Sequence, residues 1–258
     1  MIISIAIQKG GSGKTTTAVN LAAALRDLGK SVLLIDLDPQ ANLSQSLGAP
    51  EEPIENIYQV LRREAFGETA DMATAIIECH GMDLMPAALE LAGAELELAS
   101  VYGREQILAQ LIGRLKKHYD FILIDCPPSI GMLTVNALVA SDFMLMPMQA
   151  EFLPLKGARS FLTHIAKIKK LNKKLELLGF MLTKFDSRKT MNKQVLEQLY
   201  SEFGEKKVFE SRIRANIALA SAQEKGMDIF SFDRNSNGAS DYMALAKELL
   251  TKIKKFAP

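Results

Sequence analysis

Cysteine is nearly missing from this 258-residue chain: Cys79 and Cys126 are its only two. Two thiols make neither a disulfide framework nor a four-thiolate metal site, so both are expected to be buried thiols in a reducing cytoplasm. Histidine is almost as scarce, and His80, His118 and His164 are scattered without metal-ligand spacing, which argues against zinc. No apolar run approaches the roughly 18 residues of a membrane span. The opening run is strand-like, with no basic n-region and no small-residue cleavage site, so the chain is expected to be neither secreted nor membrane-spanning. A Pro/Gly/Ser-rich linker, an internal repeat and a low-complexity tract are also lacking. The expectation is one domain over residues 1–258, large enough to bury a sizeable core.

Hydrophobic residues make up 48% and charged residues 24%, usual globular values that exclude global disorder. The net charge of +1 hides an asymmetry: residues 1–150 hold 10 Lys+Arg against 18 Asp+Glu, and residues 151–258 hold 21 against 12. A carboxyl-terminal half at +9 beside an amino-terminal half at −8 is the electrostatic footprint of a chain that meets a polyanion on one face. Any single cluster, such as Lys167, Lys169, Lys170, Lys173 and Lys174, reads by itself as a solvated helix face.

Ile2 to Ile7 is a β-branched apolar run that ends in Gln8-Lys9-Gly10-Gly11-Ser12-Gly13-Lys14, after which Thr15 to Leu28 has helical apolar spacing. Strand, glycine loop and helix follow in order. Ser31 to Ile35 predicts a second buried strand that delivers Asp36 and Asp38 at its carboxyl end. Phe121 to Ile124 ends likewise in Asp125; Phe143 to Met148 and Leu177 to Leu182 are further strands, the last leading into Thr183-Lys184-Phe185-Asp186. Helical segments are predicted at roughly 88–117, 133–140, 155–171 and 190–203. The fold class is therefore α/β, a mostly parallel central sheet flanked by helices on both faces. Residues 48–57 read as an exposed excursion. Ser240 to Phe256 reads as an amphipathic helix, packed on the sheet by default and a membrane-surface helix in the sharper alternative.

Lys9-Gly10-Gly11-Ser12-Gly13-Lys14-Thr15-Thr16, between a strand and a helix, is the strongest chemical signal, because that is the setting a phosphate-binding loop requires. Glycines let backbone N–H groups turn inward into an anion cradle, and the helix N-terminus adds positive potential. Lys14 is placed to reach the β- and γ-phosphates and Thr15 to ligate Mg²⁺. The general pattern has glycine at position 8; here Gln8 stands there, followed by a second lysine, Lys9.

With that KGGxGKTT form the chain resembles the ParA/Soj/MinD family of deviant phosphate-loop ATPases, a P-loop NTPase fold, and the likeness extends over nearly the whole sequence. The resemblance implies that Lys9 crosses a dimer interface to the partner subunit's nucleotide. It implies that Asp36 supports the metal shell, that Asp38 orients the attacking water, and that Asp125, on a Walker B-like strand, holds Mg²⁺ through water. Gly131-Met132-Leu133-Thr134 resembles a γ-phosphate-sensing switch. Thr183 and Arg214 fall on the expected base-binding strand end and adenine loop. The chain has Arg214-Ala215-Asn216 where the family often has Pro-Arg-Asn, and Ala218 where an arginine used for DNA is frequent. Cys126 invites comparison with nitrogenase iron protein, but strand packing accounts for it.

The resemblance thus implies an ATPase, slow and partner-stimulated, with ATP and Mg²⁺ as cofactors. Catalysis falls to Lys9, Lys14 and Asp38. The implied partners are a second copy in an ATP-dependent homodimer, non-specific DNA, and a ParB-like adaptor. The implied location is cytoplasmic, nucleoid-associated in the ATP state, with cargo such as a chromosome or plasmid segregated or positioned. Candidate DNA contacts are Arg188, Lys189, Lys193, Arg212 and Arg214. The alternatives are a MinD-like membrane-positioning ATPase and a metabolic ATP-dependent synthetase of the same superfamily.

Overall fold

The computed structural model describes residues 1–256, except for the side chains of residues 152–156. Eight strands form one sheet: β1 (Ile2–Ile5), β2 (Val32–Asp36), β3 (Ile77–Cys79), β4 (Met82–Met85), β5 (Phe121–Asp125), β6 (Phe143–Gln149), β7 (Glu176–Phe185) and β8 (Val208–Arg214). Their order is β3-β4-β2-β5-β1-β6-β7-β8. Every neighbouring pair is parallel except the β3–β4 hairpin.

The central strands are apolar throughout because both faces are covered. Along each strand, side chains alternate between two cores, as the two-residue repeat of a strand requires. Leu33, Ile35, Ile122 and Ile124 enter one core, and Val32, Leu34, Phe121 and Leu123 the other. The first core is closed by α3 (Ile57–Ala65), α4 (Leu91–Glu97), α5 (Ile107–Leu115), α6 (Met132–Ala140), α7 (Phe152–Ile168) and α8 (Thr190–Phe203). The second is closed by α1 (Lys14–Asp27), α2 (Asn42–Ser46), α9 (Ile217–Glu224), α10 (Ile229–Phe232) and α11 (Asn237–Lys254).

β5 and β6 flank β1 on opposite sides, so the chain changes direction across β1. In open α/β sheets such a switch point opens a crevice at the carboxyl ends of the strands, where ligands bind. The glycine loop, Asp38, Asp125, Gln149, Thr183 and Arg214 all lie at that edge.

The helix predicted over 88–117 is broken. α4 ends at Glu97, short 3₁₀ turns cover Leu98–Ser100 and Arg104–Gln106, and α5 begins at Ile107. Gly103 is the cause: its φ of +71° is left-handed, a conformation no helix interior accommodates. The apolar spacing of two helices on one core mimics a single period. The β3–β4 hairpin is absent from the sequence-based expectation; its turn is His80-Gly81, both at positive φ, as a two-residue hairpin turn demands. Glu51, Glu52 and Ile54 are exposed, as expected of the 48–57 excursion. Asn56 closes that excursion by capping α3 in a reciprocal box with Gln59. α11 buries Tyr242, Leu245, Leu249 and Ile253 in the core, which is the default reading of the last helix. Phe256 packs edge-on against Phe143 at 5.2 Å. Among the described residues no helix is long and apolar enough to cross a membrane, and both cysteines are free and buried.

Candidate functional site: a phosphate loop beside buried carboxylates

The loop between β1 and α1 is held open by hydrogen bonds to its carbonyls. Lys14 Nζ donates to Lys9 O at 3.2 Å, Gln149 Nε2 to Gly11 O at 2.6 Å, and Thr183 Oγ1 to Ser12 O at 2.9 Å. Gly11 and Gly13 take φ values of +70° and +91°, which glycine adopts at no steric cost. Three carbonyls of the loop are thus held by side chains. Gly13, as N-cap, gives α1 no side-chain acceptor, so the N–H groups of its first turn stay available to an anion. A Cβ at Gly10 or Gly11 would meet none of the described residues within 4 Å.

Two carboxylates face each other below the loop. Asp36 and Asp125 are register partners at the ends of β2 and β5, and both side chains are fully buried. Burial pushes Asp125 well above the ordinary carboxylate range, and the neighbouring charge of Asp36 adds to the shift. Asp36 is pushed up to about 6, again by burial, although the Ser44 hydroxyl and N–H pull it back. Thr15 Oγ1 donates to Asp125 Oδ2 at 2.7 Å. Asp125 Oδ1 is buried with no hydrogen-bond partner among the described residues, as is Ser12 Oγ. A buried, orphaned carboxylate oxygen beside a threonine hydroxyl and a second acid suits a hard divalent cation. The described residues contain no group of three or more His, Cys, Asp or Glu able to hold a metal, so a cation here needs oxygens from its substrate as well.

Of the three sequence-derived metal candidates, Thr15 and Asp125 present the open position. Both oxygens of Asp36 are occupied by its own loop: Oδ1 accepts from Asp38 N at 3.2 Å, and Oδ2 from Ser44 N and Oγ at 2.9 and 2.7 Å. Asp38 is nearly buried and fixed by the Gln40 N–H at 3.0 Å. Lys14 is buried, whereas the Lys9 ammonium leaves the loop and pairs with Glu151 at 3.2 Å, both groups partly exposed.

Beside the loop a cavity of about 380 Å³ is lined by Gly11, Gly13, Thr16, Thr183, Lys184 and Arg214, and by Ile217, Leu219, Gln223 and Tyr242. The Arg214 guanidinium is locked on Asp241, with Nη2 at 2.6 Å from Oδ1. This mostly apolar slot next to a phosphate cradle has the shape of a nucleoside site. Thr183 and Arg214, the sequence-based candidates for a base, both line this cavity; Gln149, Glu151, Asp241 and the α9 residues are absent from the sequence-based reading.

The basic candidates divide. Arg188, Arg212 and Arg214 surround a groove of about 640 Å³ that shares Arg214 and Ala215 with the first cavity. Arg188 is exposed and paired with Asp186 at 3.0 Å. Arg212 is largely covered, which lowers its pKa; it donates to Tyr200 Oη at 3.1 Å and lies 5.8 Å over the Phe185 ring. Lys189 and Lys193 are exposed at the start of α8, outside that groove.

A family model described as an AAA domain matches residues 1–177. The chain is 41% identical to the sporulation initiation inhibitor protein Soj of Bacillus subtilis over 96% of this chain and 97% of that one. It is also 41% identical to the chromosome partitioning protein ParA of Myxococcus xanthus, covering 97% and 88%. Among solved structures, cobyrinic acid a,c-diamide synthase from Mycobacterium smegmatis with bound ATP analog and magnesium superposes with a TM-score of 0.87 at 35% identity, over 99% and 96% of the two chains. The cell division ATPase MinD of Pyrococcus furiosus gives 0.78 at 28% identity, over 99% of each.

Proposed function

The chain belongs to the ParA/Soj/MinD family, and from that premise we propose that it is a ParA/Soj-type ATPase, a nucleotide-switched dimer that binds non-specific DNA to segregate or position cargo. The observation that carries this reading is the division of labour between two lysines. Lys14 is buried in the loop, and Lys9 points out of it to a partly exposed partner. An ordinary hydrolase needs the first alone; the second is free to serve a nucleotide in another subunit.

In this reading ATP lies with its base in the 380 Å³ slot and its phosphates in the loop. Backbone N–H groups and Lys14 neutralise the β- and γ-oxygens as charge builds there. Thr15 and Asp125 would hold Mg²⁺, with Asp36 behind them, and the ion would supply charge neutralisation on the triphosphate. Asp38 holds the attacking water in line and takes up its proton. Lys9 leaves Glu151 for the partner subunit's nucleotide, so assembly and turnover depend on one another. A half-exposed ion pair of this kind is worth about 1 kcal/mol or less, a small barrier to that exchange. Stimulation by a ParB-like adaptor and nucleoid association in the ATP state complete the cycle.

Light scattering on a sizing column, with ADP and with ATP, tests the switch. The protein is expected to elute as a monomer with ADP and a dimer with ATP and Mg²⁺, and Lys9→Ala to bind ATP but remain monomeric. A wild-type protein that stays single with every adenine nucleotide ends the proposal.

The likeness to the M. smegmatis synthase favours a second reading, an ATP-dependent amidating enzyme. That enzyme would turn over ATP only with a carboxylate substrate and a nitrogen donor, so ATP hydrolysis by the protein with DNA alone decides against it.

A further inference from the structure

Ser44 lies outside the nucleotide loop, yet it joins three segments at the catalytic edge. Its side chain is almost fully buried. The hydroxyl donates to Asp36 Oδ2 at 2.7 Å and accepts from the Ala87 N–H at 3.0 Å. Its own N–H donates to the same Asp36 oxygen at 2.9 Å, and the other Asp36 oxygen receives the Asp38 N–H at 3.2 Å. The backbone from 36 to 44 is thereby closed into a loop pinned at both ends on one carboxylate. Asp38 sits inside that loop, and Ala41, at a φ of +50°, makes the turn back toward Ser44. The strained αL conformation of an alanine persists only where its surroundings enforce it, and here Ser44 closes the far side.

We infer that Ser44 is a positioning residue for hydrolysis: its hydroxyl holds Asp36, and through Asp36 the backbone of Asp38, in the geometry that places the attacking water. The inference rests on the ATPase reading with Asp38 as the water-orienting group. The Ala87 N–H gives the hydroxyl an orientation of its own. Having accepted that bond, its single proton is directed at Asp36 rather than at solvent. Ala87 lies in the connection from β4 to α4, and α4 carries Glu95 against Gly131, where an added Cβ would collide with the carboxylate. Ser44 thus also ties the Asp38 loop to the element packed on the phosphate-sensing segment. Removing the hydroxyl leaves a buried carboxylate oxygen and a buried N–H each short of a partner, and a shift of about 1 Å at a catalytic group costs roughly a hundredfold in rate.

Ser44→Ala is therefore expected to lower kcat ten- to a hundredfold while the affinity for a fluorescent ATP analogue stays within about twofold. It should still dimerise with ATP, as Asp38→Ala should. Ser44→Thr, which restores the hydroxyl, should recover most of kcat. If Ser44→Ala does not fold, Ser44→Cys, nearly isosteric with a weak donor, carries the same expectation. Ser44→Ala or Ser44→Cys turning over at the wild-type rate overturns the inference, and so does equal impairment of Ser44→Ala and Ser44→Thr, which would mean packing alone. Wild-type protein with no ATPase activity at all would instead strike the reading on which the inference rests.

Discussion

Gly13 combines two demands that only the glycine side chain satisfies. Its φ is +91°, and an added Cβ would stand 3.1 Å from Thr183 Cγ2, the side chain whose hydroxyl draws Ser12 O out of the cradle. A left-handed alanine costs about 1–2 kcal/mol, and the displaced threonine would release the loop. Gly13→Ala is expected to lose that stability in the nucleotide-free protein and at least tenfold in ATP affinity. Gly10 has no positive φ and none of the described residues within 4 Å of an added Cβ, so Gly10→Ala should melt like the wild type and lose only nucleotide affinity. Paired melting and nucleotide titrations check both, and equal behaviour of the two variants would contradict the cradle geometry. The loop is legible in the sequence because its chemistry is contiguous from Lys9 to Thr16. Gln149 and Glu151, which hold Gly11 and Lys9, are not: they lie 138 and 142 positions away from the groups they touch, and nothing local marks a glutamine or glutamate for that task.

Elements are joined at the opposite edge of the sheet by a buried pair. Arg26, in the last turn of α1, reaches Asp228 at 3.0 Å, and the Asp228 side chain is fully buried. Asp228 also caps α10 through the N–H groups of Phe230 and Ser231. Burial by itself would raise this carboxyl, but the Ser231 hydroxyl and the Arg26 guanidinium outweigh it and hold the group below its ordinary 3.8. A lowered folded-state pKa means that the unfolded chain binds the proton more readily. The contribution is therefore complete above about pH 4 and is lost as the pH falls from there through the lowered value. Asp228→Ala should cost about 1–3 kcal/mol at neutral pH, since it removes a cap and leaves unpaired buried donors, while the half-covered guanidinium keeps Asp27 at 2.8 Å. In acid titrations followed by denaturant unfolding, the variant should show a shallower decline below pH 4; a parallel decline would mean that the pair does not titrate. The central strands are predictable because two-sided burial leaves uninterrupted apolar runs. β3 and β8 are not, because edge strands such as Val208–Arg214 mix exposed and half-buried residues among the buried ones, and 88–117 reads as one helix because Gly103 interrupts the chain without interrupting the spacing.

On the scale of the whole molecule, charge separates along the chain, −8 before residue 150 and +9 after it, and the sheet order carries that separation into space. β7 and β8, both beyond residue 150, stand together at one side, with Arg188, Arg212 and Arg214 around one groove next to the cavity beside the loop. If the proposed DNA surface is this groove, point mutations should tell DNA binding from nucleotide binding. Arg214 belongs to both cavities and is locked on Asp241, so Arg214→Ala should weaken nucleotide and DNA together. Arg188 is exposed and only ion-paired locally, so Arg188→Ala should leave ATP affinity unchanged. If an ATP-bound dimer engages about five phosphates, its affinity for random-sequence duplex falls roughly 500-fold between 50 and 200 mM salt. Arg188→Ala then reduces the slope of log affinity against log salt by about one for each phosphate that Arg188 neutralises. Fluorescence anisotropy at four salt concentrations, with ATP and with ADP, measures each slope. A wild-type affinity indifferent to salt would rule out phosphate contacts altogether, an Arg188→Ala slope equal to wild type would place the polyanion elsewhere on the basic half, and binding equally strong with ADP would uncouple it from the nucleotide.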